Sequence, residues 1–141
     1  MTDNEQQTIP AAESGFVRSR IHSLGHALRG WWYVMRTQRN AWIHAGIAIA
    51  VFIVAFWLQV GARDWAVIVL TVAMVFAAEF LNTAIEAVVD LASPQMHPLA
   101  KIAKDVGAGA VLLSALAAVV IGVLLLGPPL WTKLSAYFSR P

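Results

Sequence analysis

At 141 residues the chain has room for one domain, and 59% hydrophobic against 13% charged residues is too apolar for an ordinary soluble fold. The absence of cysteine excludes disulfides and thiolate metal sites, and a net charge of +2 gives no strong pull towards nucleic acid. A small all-α integral membrane protein is the class that remains.

Residues 1–14 (MTDNEQQTIPAAES) are polar and aperiodic, read as a disordered tail without the apolar core of a signal peptide. Phe16 to about Arg36 is amphipathic: Phe16, Ile21, Leu24 and Leu28 alternate with Arg18, Arg20, His22, His26 and Arg29. This pattern predicts an interfacial helix over about 16–36, its guanidinium groups among the phosphates of anionic lipids. The turn Arg36-Thr-Gln-Arg-Asn40 leads to a first span at about 41–60, long enough for a hydrocarbon core of ~30 Å. After the turn at Gly61–Asp64, a second span covers about 65–91 and is stopped by Ser93-Pro94. A third covers about 105–126, with Gly127-Pro128-Pro129 as its expected end and 131–141 as a C-terminal tail. The six tryptophans fall near the ends of the apolar runs, in the manner of aromatic belts.

The basic residues are unequally divided. Seven (Arg18, Arg20, Arg29, Arg36, Arg39, Lys101, Lys104) lie on one side and three (Arg63, Lys133, Arg140) on the other. The positive-inside rule then predicts a multi-pass membrane protein with a cytoplasmic N-terminus and an external C-terminus.

The second span carries the chemistry. Glu79, Asn82, Thr83, Glu86 and Asp90 stand at offsets 0, 3, 4, 7 and 11, which return to one helix face. A charge near the middle of a bilayer costs roughly 2.5–3.5 kcal/mol on the insertion scale, so such a stripe implies function. A polar seam that only joins helices is the alternative, but seams ordinarily use Ser, Thr or Asn. The sequence contains no GxxxxGK[ST], which excludes a P-loop. Gly107-Ala-Gly109-Ala110 reads as close helix packing.

LNTAIEAVVDL followed by SPQMHPLAKIAKD resembles the signature of the prokaryotic diacylglycerol kinase family, and within it the undecaprenol kinase branch. The likeness is dense over residues 78–110 and weaker back to about Leu28. It implies an Mg-ATP-dependent lipid kinase domain over about 15–130, a homotrimer with sites shared between subunits, and a membrane lipid alcohol as substrate. Undecaprenol is preferred to diacylglycerol because of the 93–105 segment. By the same resemblance Glu79 is the catalytic base; Asn82, by its position one turn on, can orient Glu79 or the substrate hydroxyl. Glu86 is a metal ligand, and Lys104 and Asp105 serve ATP. Gln95, Met96 and His97 contact the nucleotide, although a histidine before Pro98 also suits a helix cap. Glu79 and Glu86 are about 10.5 Å apart along the axis, far enough for separate tasks near lipid and near water.

One position departs from the family. Gln38 in TQRN stands where a second metal-binding glutamate is usual, in a frame set by Asn40 and Ile43-His44; Trp42 replaces a basic residue. The amide offers Mg²⁺ a carbonyl oxygen without charge. A non-catalytic reading, a channel or assembly subunit with buried carboxylates, would need the glutamates but not Lys104-Asp105.

Overall fold

The computed structural model describes residues 10–95 and 97–139, with side chains from Ser19 onward. It is all helical among those residues: α1 (Pro10–Thr37), α2 (Arg39–Leu58), α3 (Ala62–Ala92) and α4 (Pro98–Phe138). Residues 1–9 of the expected tail lie outside the described residues; α1 opens at Pro10, where a proline suits a first helical position.

α1 is a unit by itself. Ile21, Leu24, Leu28, Trp31 and Trp32 are exposed along it, and the Arg36 guanidinium lies 5.5 Å from the centre of the Trp32 ring. Residues 38–141 form the second unit. Its three helices, α2, α3 and α4, are each long and apolar enough to cross a membrane.

These three helices pack through small and apolar positions at heptad-like spacing. From α2 come Ala41, Ala48 and Ala55, seven residues apart, with Ala41 and Ala55 fully buried. α3 contributes Ile68, Val75, Glu79, Asn82 and Thr83, and α4 contributes Gly107, Val111 and Leu126. α4 packs chiefly on α3. Ala55, Ile68 and Leu126 form the apolar centre at one end, bordered by Phe52 and Trp65 with ring centroids 5.9 Å apart.

α2 ends with Gln59 in the left-handed region at φ 57°, which turns Val60 N–H back onto the Ala55 carbonyl at 3.3 Å. The Lys133 ammonium donates to the Trp57 carbonyl at 2.6 Å and lies 4.5 Å from the centre of the Trp57 ring. α4 is thereby tied to the C-terminal end of α2, where a cation complements the helix dipole.

Both ends of α4 differ from the sequence expectation. It starts at Pro98 rather than near Asp105, because His97 is an N-cap whose Nδ1 accepts from Leu99 N–H at 3.2 Å, with proline next in the helix. Lys101, Lys104 and Asp105 therefore sit on a helix and not in a loop. At the other end, α4 runs through Pro128 and Pro129 to Phe138. The two prolines remove only two N–H donors, and the Thr132 hydroxyl donates to the Pro128 carbonyl at 3.1 Å. An apolar helix can absorb that loss.

Candidate active site

The polar stripe of α3 continues the inward seam begun by Ile68 and Val75. Glu79 is 1% exposed, Asn82 7% and Thr83 5%, so the carboxylate and amide face the neighbouring helices. Thr83 donates its hydroxyl to the Glu79 backbone carbonyl at 2.8 Å and leaves the Glu79 side chain alone. Both Glu79 carboxylate oxygens are buried without a hydrogen-bond partner. Buried polar groups are normally paired, which sets these two oxygens apart from the rest of the helix interface.

Glu79 borders a cavity of about 280 Å³. Gln38, Asn40 and His44 of the α2 side, Asn82 and Glu86 of α3, and an apolar wall from α4 (Ala108, Val111, Leu112, Ala115) complete it. Glu86 is held at both oxygens by amides: Asn82 Nδ2 donates to Oε1 at 3.1 Å, not to Glu79 as its place on the stripe suggests, and Gln38 Nε2 donates to Oε2 at 3.3 Å. Gln38 is the N-cap residue of α2 but makes no capping bond; its side chain goes to Glu86 instead.

A second group lies beyond the cavity at the same end of the helices. Lys104 pairs with Asp90 at 2.5 Å, and Lys101 pairs with Asp105 at 2.6 Å, all four side chains more than a third exposed. Asp90 thus leaves the inward stripe and faces Lys104. The Gln95 carbonyl accepts from the Ser93 hydroxyl at 3.0 Å, while Gln95 itself is exposed. Met96 lies outside the described residues. A larger hollow of about 710 Å³ at the far end is lined by Phe52, Trp57, Trp65 and Lys133 among others, and holds no carboxylate.

The comparison with known proteins bears directly on this arrangement. The family model for prokaryotic diacylglycerol kinase matches residues 25–126, which carry the cavity and both ion pairs. The chain belongs to this family. An undecaprenol kinase of Bacillus subtilis is 45% identical over 108 residues, 77% of this chain and 88% of that protein. A diacylglycerol kinase of Synechocystis is 50% identical over 109 residues, 77% of this chain but 62% of that longer protein. A diacylglycerol kinase of Escherichia coli K12 is 36% identical over 120 residues, 80% of this chain and 92% of that protein.

The family resemblance implies Mg²⁺, and the donor set around Glu86 bears on whether the ion would fit. Among the described residues no three His, Cys, Asp or Glu side chains converge. Glu86 supplies one carboxylate, and Gln38 supplies an amide that can turn its carbonyl oxygen towards the same point. Mg²⁺ is ordinarily held by one or two carboxylates with substrate phosphates and water, so the residues fit a site that the nucleotide completes. In the conformation described, the Gln38 amide presents N–H to Glu86, so its carbonyl oxygen would face a cation there only after the amide rotated.

His44, given no role by its place in the family frame, also borders the cavity. The signal was available: a histidine four residues after Asn40 inside an apolar span falls on the same face. Gly107 and Gly109 are alike as sequence, yet only Gly107 is buried.

Proposed function

We propose that this chain is an Mg-ATP-dependent kinase of a membrane lipid alcohol, acting at the cytoplasmic face of the bacterial inner membrane. The observation that carries this reading is Glu79: a fully buried carboxylate with both oxygens unpartnered, bordering a cavity shared with the amide-held Glu86.

In this reading the lipid hydroxyl enters the cavity and donates to Glu79. As the alcohol oxygen forms its bond to the γ-phosphorus, Glu79 takes the hydroxyl proton, the bond to the bridging oxygen breaks, and ADP leaves. Asn82 keeps Glu86 oriented one turn away. Mg²⁺, when bound, neutralises charge on the phosphate oxygens. Glu86 and Gln38 would hold it. Lys104 exchanges Asp90 for phosphate; an exposed ion pair is worth only ~0.2–1 kcal/mol, so the exchange costs little. Asp105, Gln95, Met96 and His97 serve the nucleotide. His97 spends Nδ1 on capping α4, so only its other ring nitrogen is available for this task.

The cytoplasmic N-terminus and external C-terminus follow from the distribution of basic residues and put the Lys104 end beside ATP. We read α1 as the interfacial helix, in contact with anionic lipid. Three spans do not enclose a site for two substrates, which supports a homotrimer. Undecaprenol is placed ahead of diacylglycerol on the 93–105 segment, although diacylglycerol kinases are also among the relatives.

The test is ATP consumption by purified protein in mixed micelles, with undecaprenol and diacylglycerol assayed side by side. Phosphorylated lipid appearing with ADP, and no ATP consumption without an alcohol, is the expected result. No turnover with either lipid would return the buried carboxylates to the non-catalytic reading.

A further inference from the structure

The glycines of α4 are not equivalent. A Cβ built on Gly107 would stand 2.5 Å from Asn82 Oδ1, 3.5 Å from its Cγ and 3.8 Å from its Cα. At Gly109, Gly122 and Gly127 the same construction meets nothing within 4 Å. Among the described residues, Asn82 Oδ1 is also one of three buried side-chain atoms without a hydrogen-bond partner, on a residue only 7% exposed. A small-residue stripe explains neither fact.

The amide has two ends with different needs. Nδ2 must face Glu86 Oε1, because a carboxylate oxygen accepts only from a donor; the bond is 3.1 Å. Oδ1 is then forced to the opposite side, against α4, into the volume a side chain at position 107 would fill. Turning the amide over would set Oδ1 against Glu86 Oε1. Moving it aside would break the bond to Glu86, because asparagine is short and its Cα also lies close to α4.

We infer that Gly107 is a positioning residue for the phosphoryl-transfer site: its bare backbone leaves room for the one orientation of Asn82 that holds Glu86. Gly107 lies three residues after Lys104, so the same contact also fixes the height of the Lys104 turn on α3 relative to Glu86. The functional part of this inference rests on the kinase reading; the contact between Gly107 and Asn82 does not.

The test is a double-mutant cycle with Gly107→Ala, Asn82→Ala and the pair, with Gly109→Ala as control. Binding of a fluorescent Mg-nucleotide analogue without lipid, thermal midpoint in detergent, and turnover are measured. Loss of a hydrogen bond to a charged group is expected to weaken the analogue by roughly tenfold or more in Gly107→Ala. Asn82→Ala should weaken it similarly, and the pair should be no weaker than Asn82→Ala alone. Gly109→Ala should behave as wild type.

Wild-type binding and turnover in Gly107→Ala overturns the inference. So do losses that multiply in the pair, since the two residues would then act independently. If Gly107→Ala does not accumulate, the pair should restore folded protein, because the conflicting amide is gone; failure to restore it also overturns the contact. Should the wild type phosphorylate no lipid, the kinase reading falls, while the coupling of thermal midpoints still decides the contact.

Discussion

Replacing Gln38 by glutamate is expected to tighten Mg²⁺ binding while destabilising the metal-free protein. Gln38 Nε2 stands 3.3 Å from Glu86 Oε2, so the substitution puts two carboxylate oxygens at about that separation. Two unit charges at 3.3 Å repel by about 1.3 kcal/mol at the dielectric of water and about 5 kcal/mol at an effective value of 20. The contact is half buried, which puts the cost between those limits, and the amide donor to Glu86 is lost in addition. A divalent ion between the two carboxylates removes the repulsion and turns both charges into ligands. Relief of even the lower figure is about tenfold in affinity.

The assay is turnover against free Mg²⁺ at fixed Mg-ATP, paired with thermal midpoints in detergent with chelator and with Mg²⁺. The half-saturating Mg²⁺ concentration should fall about tenfold or more. The midpoint should drop below wild type in chelator and recover with Mg²⁺, with lipid preference unchanged. An unaltered Mg²⁺ requirement together with an unaltered midpoint would show that residue 38 is not at the metal, and α2 would have to be realigned with the family at its start.

Glu79→Gln is expected to lose at least ~10²-fold in turnover, the low end for a general base, while nucleotide binding persists; wild-type turnover removes Glu79 from the mechanism. Lys104→Ala should raise KM for ATP and lower kcat with little effect on KM for lipid, and a change confined to the lipid KM would make Lys104 a headgroup contact instead. Asp90→Asn should lower KM for ATP by up to about fivefold, the worth of an exposed ion pair, whereas a raised Mg²⁺ requirement would place Asp90 on the metal. Lys133→Ala should lower the thermal midpoint and leave kcat unchanged, because it unties α4 from the Trp57 carbonyl far from the cavity.

The three long apolar helices were legible because bilayer-length runs leave few alternatives, and the polar stripe was legible because helical periodicity is local. The ends of α4 were not. Pro98 and Pro128-Pro129 carry the same residue type with opposite consequences: one follows a capping histidine and starts the helix, while the others lie inside it and cost two donors. Periodicity also cannot supply partners across helices. Gln38 and Glu86 are 48 residues apart and meet only because α2 and α3 run antiparallel with one register. The fate of Asp90 has the same cause. It lies on the stripe by angle, yet a turn below Glu86 it has passed the cavity, and Lys104 reaches it from the first turns of α4.

One seam of α3 serves two purposes, and their order along the helix explains why the site can be so poorly paired. Ile68 fills it with apolar volume against Ala55 and Leu126, buried Val75 follows on the same seam, and Lys133 ties the same end of α4 to α2. Beyond Val75 the seam turns polar at Glu79 and stays so through Asn82 and Glu86. Two carboxylate oxygens and an amide oxygen are left unpartnered there, each a cost to folding. The apolar half offsets that cost, and fully buried alanines on α2 bring the backbones close enough to hold the polar half in shape. Filling the cavity with apolar side chains is therefore expected to stabilise the helices and abolish turnover, because on the kinase reading the unpaired Glu79 oxygens receive the substrate hydroxyl.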